Sequence, residues 1–357
     1  MHLVTFERRA PTAGAPPPPG KRRRGRGSVP RLELGEAGGV GARRLGALVP
    51  SGPRAGDVVD LNRALALRSS LDDAGAPEAE ADCLIPSDAL AFLRRLERSL
   101  PAAERALAFA LEASERFDLG HAAERLFERR RDVRLLAPVL RPGKIVAVAR
   151  NYAAHAKEAG SVAPPEEPVL FLKAPSAVIG PEDDIVLPRA SREVDFEGEL
   201  AAVIGRAARE LRAEEALDFV AGYCVANDVS ARDFQNVRGQ HFIGKSCDGF
   251  APLGPALVTR DEVPDPQDLA IRTIVSGEQM QSARTKEMIF PVAAIVAFAS
   301  RLMTLEPGDV ILTGTPAGVG MARNPPRWLR EGDVVEVSIE RVGRLVSYVA
   351  KPTEDEA

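Results

Sequence analysis

No stretch of this 357-residue sequence is long and apolar enough to read as a membrane helix. The longest uncharged apolar run, Met288–Ser300, has 13 residues, against the roughly 18 or more that a bilayer requires. It reads instead as a buried helix. Cysteine is scarce. Cys83, Cys224 and Cys247 are three, odd in number and widely spaced. They form neither a disulfide framework nor a C-x-x-C zinc pattern, which fits a reducing cytosol. An excess of one charge is also missing. Lys plus Arg is 47 and Asp plus Glu is 51, a formal net charge of −4. That balance argues against nucleic acid or an anionic membrane as the main partner. Glu7, Arg8 and Arg9 interrupt the N-terminus before a signal-peptide core could form. These absences lead us to expect a cytoplasmic protein with no membrane and no nucleic-acid partner.

Apolar residues make up 45% of the chain, an ordinary globular share that excludes global disorder. One stretch is biased. Pro11–Gly27 combines the run Pro16–Pro19 with Lys21, Arg22, Arg23, Arg24 and Arg26. Such a composition cannot bury a core, so it reads as a mobile loop; against the alternative of a nucleic-acid or polyphosphate patch, no aromatic residues interleave the charges.

Met1–Glu7, Leu45–Val49 and Asp57–Leu61 read as strands. Ser87–Leu96, with Ser87 as N-cap, and Ala102–Phe117 have helical spacing. Leu135–Gly143 carries two prolines and reads as a linker. We therefore expect a small N-terminal domain over residues 1–138, a second domain over 139–351 and a tail at 352–357. The second domain is denser in strands. These include Lys144–Ala149, Val169–Leu172, Leu200–Ile204, Tyr223–Ala226, and Ile271–Ser276 with Gln279–Ser282 about the turn Gly277-Glu278. Helix Pro291–Met303, strand Asp309–Thr313 and hairpin Val334–Ile339/Leu345–Val349 follow. Strands do not alternate regularly with helices, which predicts an α+β, mostly β mixed sheet rather than a doubly wound one.

The second domain holds the residues that could carry chemistry. Asp195, Glu197 and Glu199 recur at every second position, so on a strand they share one face. Alone, such a pattern is usually a solvated strand edge. Here the apolar run Leu200–Gly205 follows directly, which puts the carboxylates at the mouth of a buried strand, where a hard cation could use them. Asp228, after the apolar run Phe219–Ala226, supplies a third carboxylate. Arg232 and Asp233 read as an ion pair, or as a helix start capped by Ser230. His155 and Glu158, at i and i+3, can pair on one helix face. Such pairs are often surface decoration, yet this is also the apparatus of a general base. Gly239–Ser246 matches the phosphate-loop pattern G-x-x-x-x-G-K-[ST] literally. It lacks the preceding buried strand and the following helix, so a nucleotide site there is rejected. Lys245 remains as a candidate stabiliser of negative charge. The loop Leu312–Gly320 has three glycines whose amides could approach an anion.

Taken together, KIVAVARNYAAHAKE, VDFEGELAAVIG, VANDVSARDFQ, GKSCDGFAPLGP and ILTGTPAGVG resemble the fumarylacetoacetate hydrolase family, in order and spacing, over roughly Gly143–Val349. The residues before them resemble the small domain of longer bacterial members. The resemblance implies a mostly β roll, commonly dimeric. It implies Glu197, Glu199 and Asp228 as ligands for Mg²⁺ or Mn²⁺, and His155 with Glu158 as a water-activating dyad. It also implies Lys245 as a catalytic lysine, with Arg232, Gln235 and Thr315 contacting substrate. Ala149, Ile243 and Cys247 depart from the residues common at their positions. The expected activity is metal-dependent hydrolysis of a C–C bond in a small 2-oxo or 2,4-dioxo acid, of acylpyruvate or fumarylpyruvate type. The alternatives are an oxaloacetate-type decarboxylase, a hydratase or isomerase of aromatic catabolism, and a non-catalytic ligand-binding protein.

Overall fold

A computed structural model describes residues 1–10, 41–72, 75–115, 120–161, 163 and 165–352. The Pro11–Gly27 loop, the end of the expected Ala102–Phe117 helix and almost all of the C-terminal tail lie outside the described residues. The fold is mixed α+β, as expected.

Its main feature is a twelve-stranded sheet. From one edge the path runs Phe127–Glu128, Val58–Asp60, Arg43–Leu48, His2–Arg8, Ala251–Thr259, Val220–Asn227, Gly198–Ile204, Val310–Leu312, Ile145–Ala149 and Val169–Lys173. Val133–Leu136 and Val178–Ile179 pair beside this path. The first strand bonds to Ala251–Thr259 through His2↔Val258 and Leu3↔Leu257. The sheet therefore crosses from the first 138 residues into the rest without a break, and one apolar core runs through both parts. A second, five-stranded sheet contains Glu278–Arg284, Ala270–Val275, Val334–Ile339, Gly343–Ala350 and Ile185–Val186.

The strand Gly198–Ile204 lies deep in the main sheet. It pairs with Val220–Asn227 on one side and Val310–Leu312 on the other, and all seven of its residues are buried. Its neighbours are apolar on both faces, as a doubly covered strand requires.

Several sequence expectations need correction. Leu61 opens a helix, Leu61–Leu71, rather than closing a strand. Asp60 sets that boundary, because its carboxylate accepts the Arg63 amide at 3.1 Å. The same buried carboxylate pairs with Arg44, Nη2 to Oδ1 at 2.8 Å. The helix Pro77–Leu84 was not expected. Asp88, not Ser87, caps Ala89–Leu93, accepting the Ala91 amide at 2.7 Å. The next helix begins at Leu96 and ends at Ala113, with Pro101 inside it. Leu135 and Leu136 belong to a strand paired with His2–Arg8 rather than to a linker. The hairpin between Val275 and Glu278 turns on Ser276 and Gly277, with φ of 49° and 87°. A tight hairpin of that hand needs positive φ at both central residues.

Candidate active site

The register of the central strands assembles the acidic cluster. Gly198 pairs with Asn227 and Glu199 with Ala226, so Asp228 emerges beside Glu197 and Glu199. Asn227 helps fix this corner, its Oδ1 accepting the Glu197 amide at 2.9 Å. The Asp228 amide donates to the Glu197 carbonyl at 2.8 Å. Glu197, Glu199 and Asp228 are all buried, and one oxygen of each lies within 4.8 Å of the others.

Cations surround two of these carboxylates. Lys245 Nζ donates to Glu197 Oε2 at 2.8 Å and to Asp228 Oδ2 at 2.7 Å. Lys173 Nζ donates to Asp228 Oδ1 at 2.6 Å and to the Val229 carbonyl at 3.2 Å. Arg232 Nη2 donates to Glu197 Oε1 at 2.6 Å. Burial alone would raise the Glu197 carboxyl, but Lys245 and Arg232 outweigh it and hold that carboxyl below the usual range. Glu199 differs. Among the described residues it has no ion-pair partner, and its one hydrogen bond on that side comes from the Gly314 amide at 2.7 Å. Burial, reinforced by the charges of Asp228 and Glu197, pushes its carboxyl well above the ordinary value. Three buried carboxylates, one of them with no cationic partner among the described residues, fit a hard divalent cation.

The dyad expected on one helix face is formed. His155 and Glu158 lie on the helix Ala153–Glu158, with His155 Nδ1 2.9 Å from Glu158 Oε1. Glu158 also accepts the Gly318 amide at 3.1 Å on each oxygen. Gly318 has φ of 104°, a conformation that other residues rarely adopt. The glycine-rich loop does approach anions, but they are the protein's own. Gly314, Gly318 and Gly320 donate to Glu199, Glu158 and Asp195 respectively.

His155, Glu197, Arg232, Gln235, Lys245 and Thr315 all line one pocket of about 190 Å³. The Thr315 hydroxyl donates to the Gly198 carbonyl at 3.0 Å and accepts from Gln281 Nε2 at 2.7 Å. Gln235 accepts from Arg232 Nη1 at 3.1 Å, and its Nε2 lies 2.8 Å from His241 Nδ1. Burial lowers the His241 imidazole.

Asp195 is not one of the three clustered carboxylates. It belongs to a separate two-stranded ladder, Val194–Asp195 with Ser230–Ala231, and the chain leaves strand geometry at Phe196 and Glu197 before Gly198. There Asp195 anchors Arg232, which donates Nε to Oδ2 at 3.0 Å. Arg232 therefore pairs with Asp195 and Glu197 rather than with Asp233, which accepts from Ser191 Oγ and the Arg192 amide at 2.8 Å each. Ser230 is a strand residue whose hydroxyl donates to the Asp228 carbonyl, not a helix cap. The segment matching a phosphate loop forms the short helix His241–Lys245, which turns Lys245 toward carboxylates. Sequence reasoning missed Lys173, Asn227, Gln281 and the anchoring role of Asp195. Of the three departures from the family pattern, Ala149 lines the pocket, Ile243 is exposed and Cys247 is partly buried outside it.

Comparisons with known proteins give the family. Residues 144–350 match the C-terminal domain model of fumarylacetoacetate hydrolase. The chain is 45% identical over 270 residues to the mitochondrial oxaloacetate tautomerase FAHD2A of Homo sapiens, covering 75% of this chain and 81% of that protein. A fumarylacetoacetate hydrolase structure from Exiguobacterium antarcticum is 38% identical, with a TM-score of 0.66, covering 87% of this chain and 96% of that one. A 2-hydroxyhepta-2,4-diene-1,7-dioate isomerase from Mycobacterium marinum is 45% identical, with a TM-score of 0.57, over 64% of this chain and 82% of that one. Among the described residues, no helix is long and apolar enough to cross a membrane. On its matched model, its relatives and its fold, the chain belongs to the fumarylacetoacetate hydrolase family.

Proposed function

We propose that this chain is a divalent-metal-dependent enzyme that enolises a small 2-oxo diacid of oxaloacetate type. The observation that carries this reading is its 45% identity to an oxaloacetate tautomerase over three quarters of its length. Keto–enol exchange needs a base beside C3 and stabilisation of the developing oxygen charge, and no attacking water. Glu197, Glu199 and Asp228 would hold the ion, Mg²⁺ or Mn²⁺. A bound ion of that kind supplies Lewis-acid stabilisation of negative charge on an oxo-acid oxygen. His155 takes the C3 proton and delivers it to the C2 oxygen of the enolate, and the reverse transfer restores the keto form, with Glu158 fixing its ring through Nδ1. Lys245 and Arg232 bring positive charge to the pocket wall, while Gln235 and Thr315 contact the substrate. Decarboxylation of the same acid would use the same charge stabilisation.

Hydrolysis of a C–C bond in an acylpyruvate is the second reading. The fumarylacetoacetate hydrolase structure covers 87% of this chain, and the His155–Glu158 pair suits water activation. A direct test gives the protein oxaloacetate, acetylpyruvate and fumarylpyruvate with added Mg²⁺. Ultraviolet absorbance follows the enol, and chromatography follows cleavage products. A larger kcat/KM for acylpyruvate cleavage than for enolisation would overturn the first reading in favour of the second. No turnover of any of these acids with Mg²⁺, or with Mn²⁺ in its place, would leave a binding protein.

We further propose a homodimer. Val169 and Leu172 on the edge strand, with Phe242 and Ile243 on the adjoining helix, leave large apolar side chains exposed. Phe242→Asp should convert a sedimenting dimer to monomer. A wild-type monomer at assay concentration overturns this proposal.

A further inference from the structure

The pocket that holds His155 and Glu197 is also lined by Arg150, Phe171 and His241, none of which the proposed reaction uses. Two of the pocket's cations are already spent. Lys245 binds Glu197 and Asp228, and Arg232 binds Asp195, Glu197 and Gln235. The Thr315 hydroxyl donates to the Gly198 carbonyl. A small diacid still needs a donor for its second carboxylate, because a charged group that enters a pocket gives up its hydration.

His241 has such a donor, and the hydrogen bonds behind it fix which nitrogen carries the proton. Arg232 can only donate. Its Nη1 lies 3.1 Å from Gln235 Oε1, so that atom is the amide oxygen. Gln235 Nε2 is therefore the amide nitrogen, and it donates to His241 Nδ1 at 2.8 Å. Nδ1 accepts, so the neutral ring carries its proton on Nε2. Burial, reinforced by the charge of Lys245, lowers the imidazole from its ordinary value and favours that single-proton form. The ring also stacks on Phe171, with centroids 5.1 Å apart and planes at 24°. Among the described residues Nε2 makes no hydrogen bond, and the half-buried ring leaves it accessible. Arg150 stands at the exposed mouth of the same pocket with φ of 56°, a left-handed conformation that a non-glycine residue holds at a cost. Its charge reaches His241, so this end of the pocket suits an anion.

We propose that His241 is a specificity-determining residue: its Nε2–H donates to the substrate carboxylate that lies away from the acidic cluster, and Arg150 supplies the opposite charge beside it. This assignment takes the diacid reading above as its basis. A wall built to donate to an oxygen rejects an analogue that lacks that oxygen, because the donor is then left unpaired.

The test uses the full-length protein with Mg²⁺ and two ligands that cannot enolise. One is malate. The other is 2-hydroxybutanoate, which has a methyl group where malate has its second carboxylate. By calorimetry the wild type should bind malate at least about tenfold more tightly. His241→Phe keeps a ring against Phe171 but has neither nitrogen, and should lose most of that preference. His241→Asn keeps an acceptor near Nδ1 for Gln235 but has no atom at Nε2, and should lose it too. His241→Gln places an amide N–H near Nε2 and should retain it. A merely structural ring would give the reverse order, with Asn retaining and Gln losing. Binding of 2-hydroxybutanoate should stay constant across the three variants. Arg150→Met should lower the preference by a smaller factor. For oxaloacetate, His241→Phe should raise KM about tenfold with little change in kcat. A preference for malate that survives His241→Phe or His241→Asn overturns the assignment, as does a wild type without that preference. A preference unmoved by Arg150→Met overturns the part given to Arg150. A wild type that prefers malate through His241 but does not enolise oxaloacetate overturns the enolisation reading and supports the carboxylate subsite.

Discussion

Asp60, in the first 138 residues, and Glu199, in the central sheet, are both buried carboxylates. Asp60 is compensated. It pairs with Arg44, lies 3.6 Å from Arg63 Nε and caps a helix through the Arg63 amide. Glu199 faces two other carboxylates, and cations nearby are taken up by those two rather than by it. A buried carboxylate with matched cations holds the fold together locally. One left beside like charges stores free energy that a cation can release. That imbalance separates a structural charge cluster from a ligand site.

The largest expected effect comes from removing the uncompensated group. Glu199→Ala should abolish high-affinity Mg²⁺ binding by calorimetry and lower turnover by more than about 10³-fold, since a Lewis acid contributes several kcal/mol. The metal-free fold should be as stable as wild type or more so. Unchanged Mg²⁺ affinity would break the comparison at its centre. Next comes His155→Ala, which should cost about 10²–10⁴-fold in enolisation, the usual worth of a general base, while Mg²⁺ binding stays. Wild-type kinetics would remove His155 from the proton transfer.

Asp60→Ala should destabilise the protein by about 3–5 kcal/mol in urea titration, because Arg44 is left buried without its partner. Activity per folded molecule should not change. The smallest effect is pH-dependent. In chelator-treated protein, the raised Glu199 carboxyl favours the fold while it is protonated. That contribution is complete below the unfolded carboxyl value and is lost as pH rises through the raised one. The urea midpoint should therefore fall with rising pH, and Glu199→Gln should flatten the fall. Identical profiles for the two proteins would show that Glu199 is compensated after all.

Much of the site was readable before the structure because its spacing is local. Glu197 and Glu199 are two apart before a buried strand, and His155 and Glu158 are three apart on a helix. The missing parts are long-range. Lys173 reaches Asp228 across 55 residues, and Gln281 reaches Thr315 across 34. No local pattern announces either contact. The period of two alone does not say which of Asp195, Glu197 and Glu199 a cation would use; Asp195 is taken up by Arg232 and by the Gly320 amide, contacts across 37 and 125 residues. In the fold, the sheet's passage through His2↔Val258 has the same cause. Two missed helices did leave local signals. Asp60 precedes Leu61, Ala64 and Leu65 at helical spacing, and Pro77 stands at the first helical position before Glu78 and Glu80.

The strand Gly198–Ile204 carries Glu199 of the acidic cluster at one end, and Gly205, just past the other, lines a cationic cleft. Energetic communication needs an element with two arrangements that both sites bias. This strand is hydrogen-bonded along both edges and buried throughout, so it offers one. It acts as an insulator rather than a lever. Anything that filled the cleft would therefore raise the melting temperature through mass action alone and leave KM where it was.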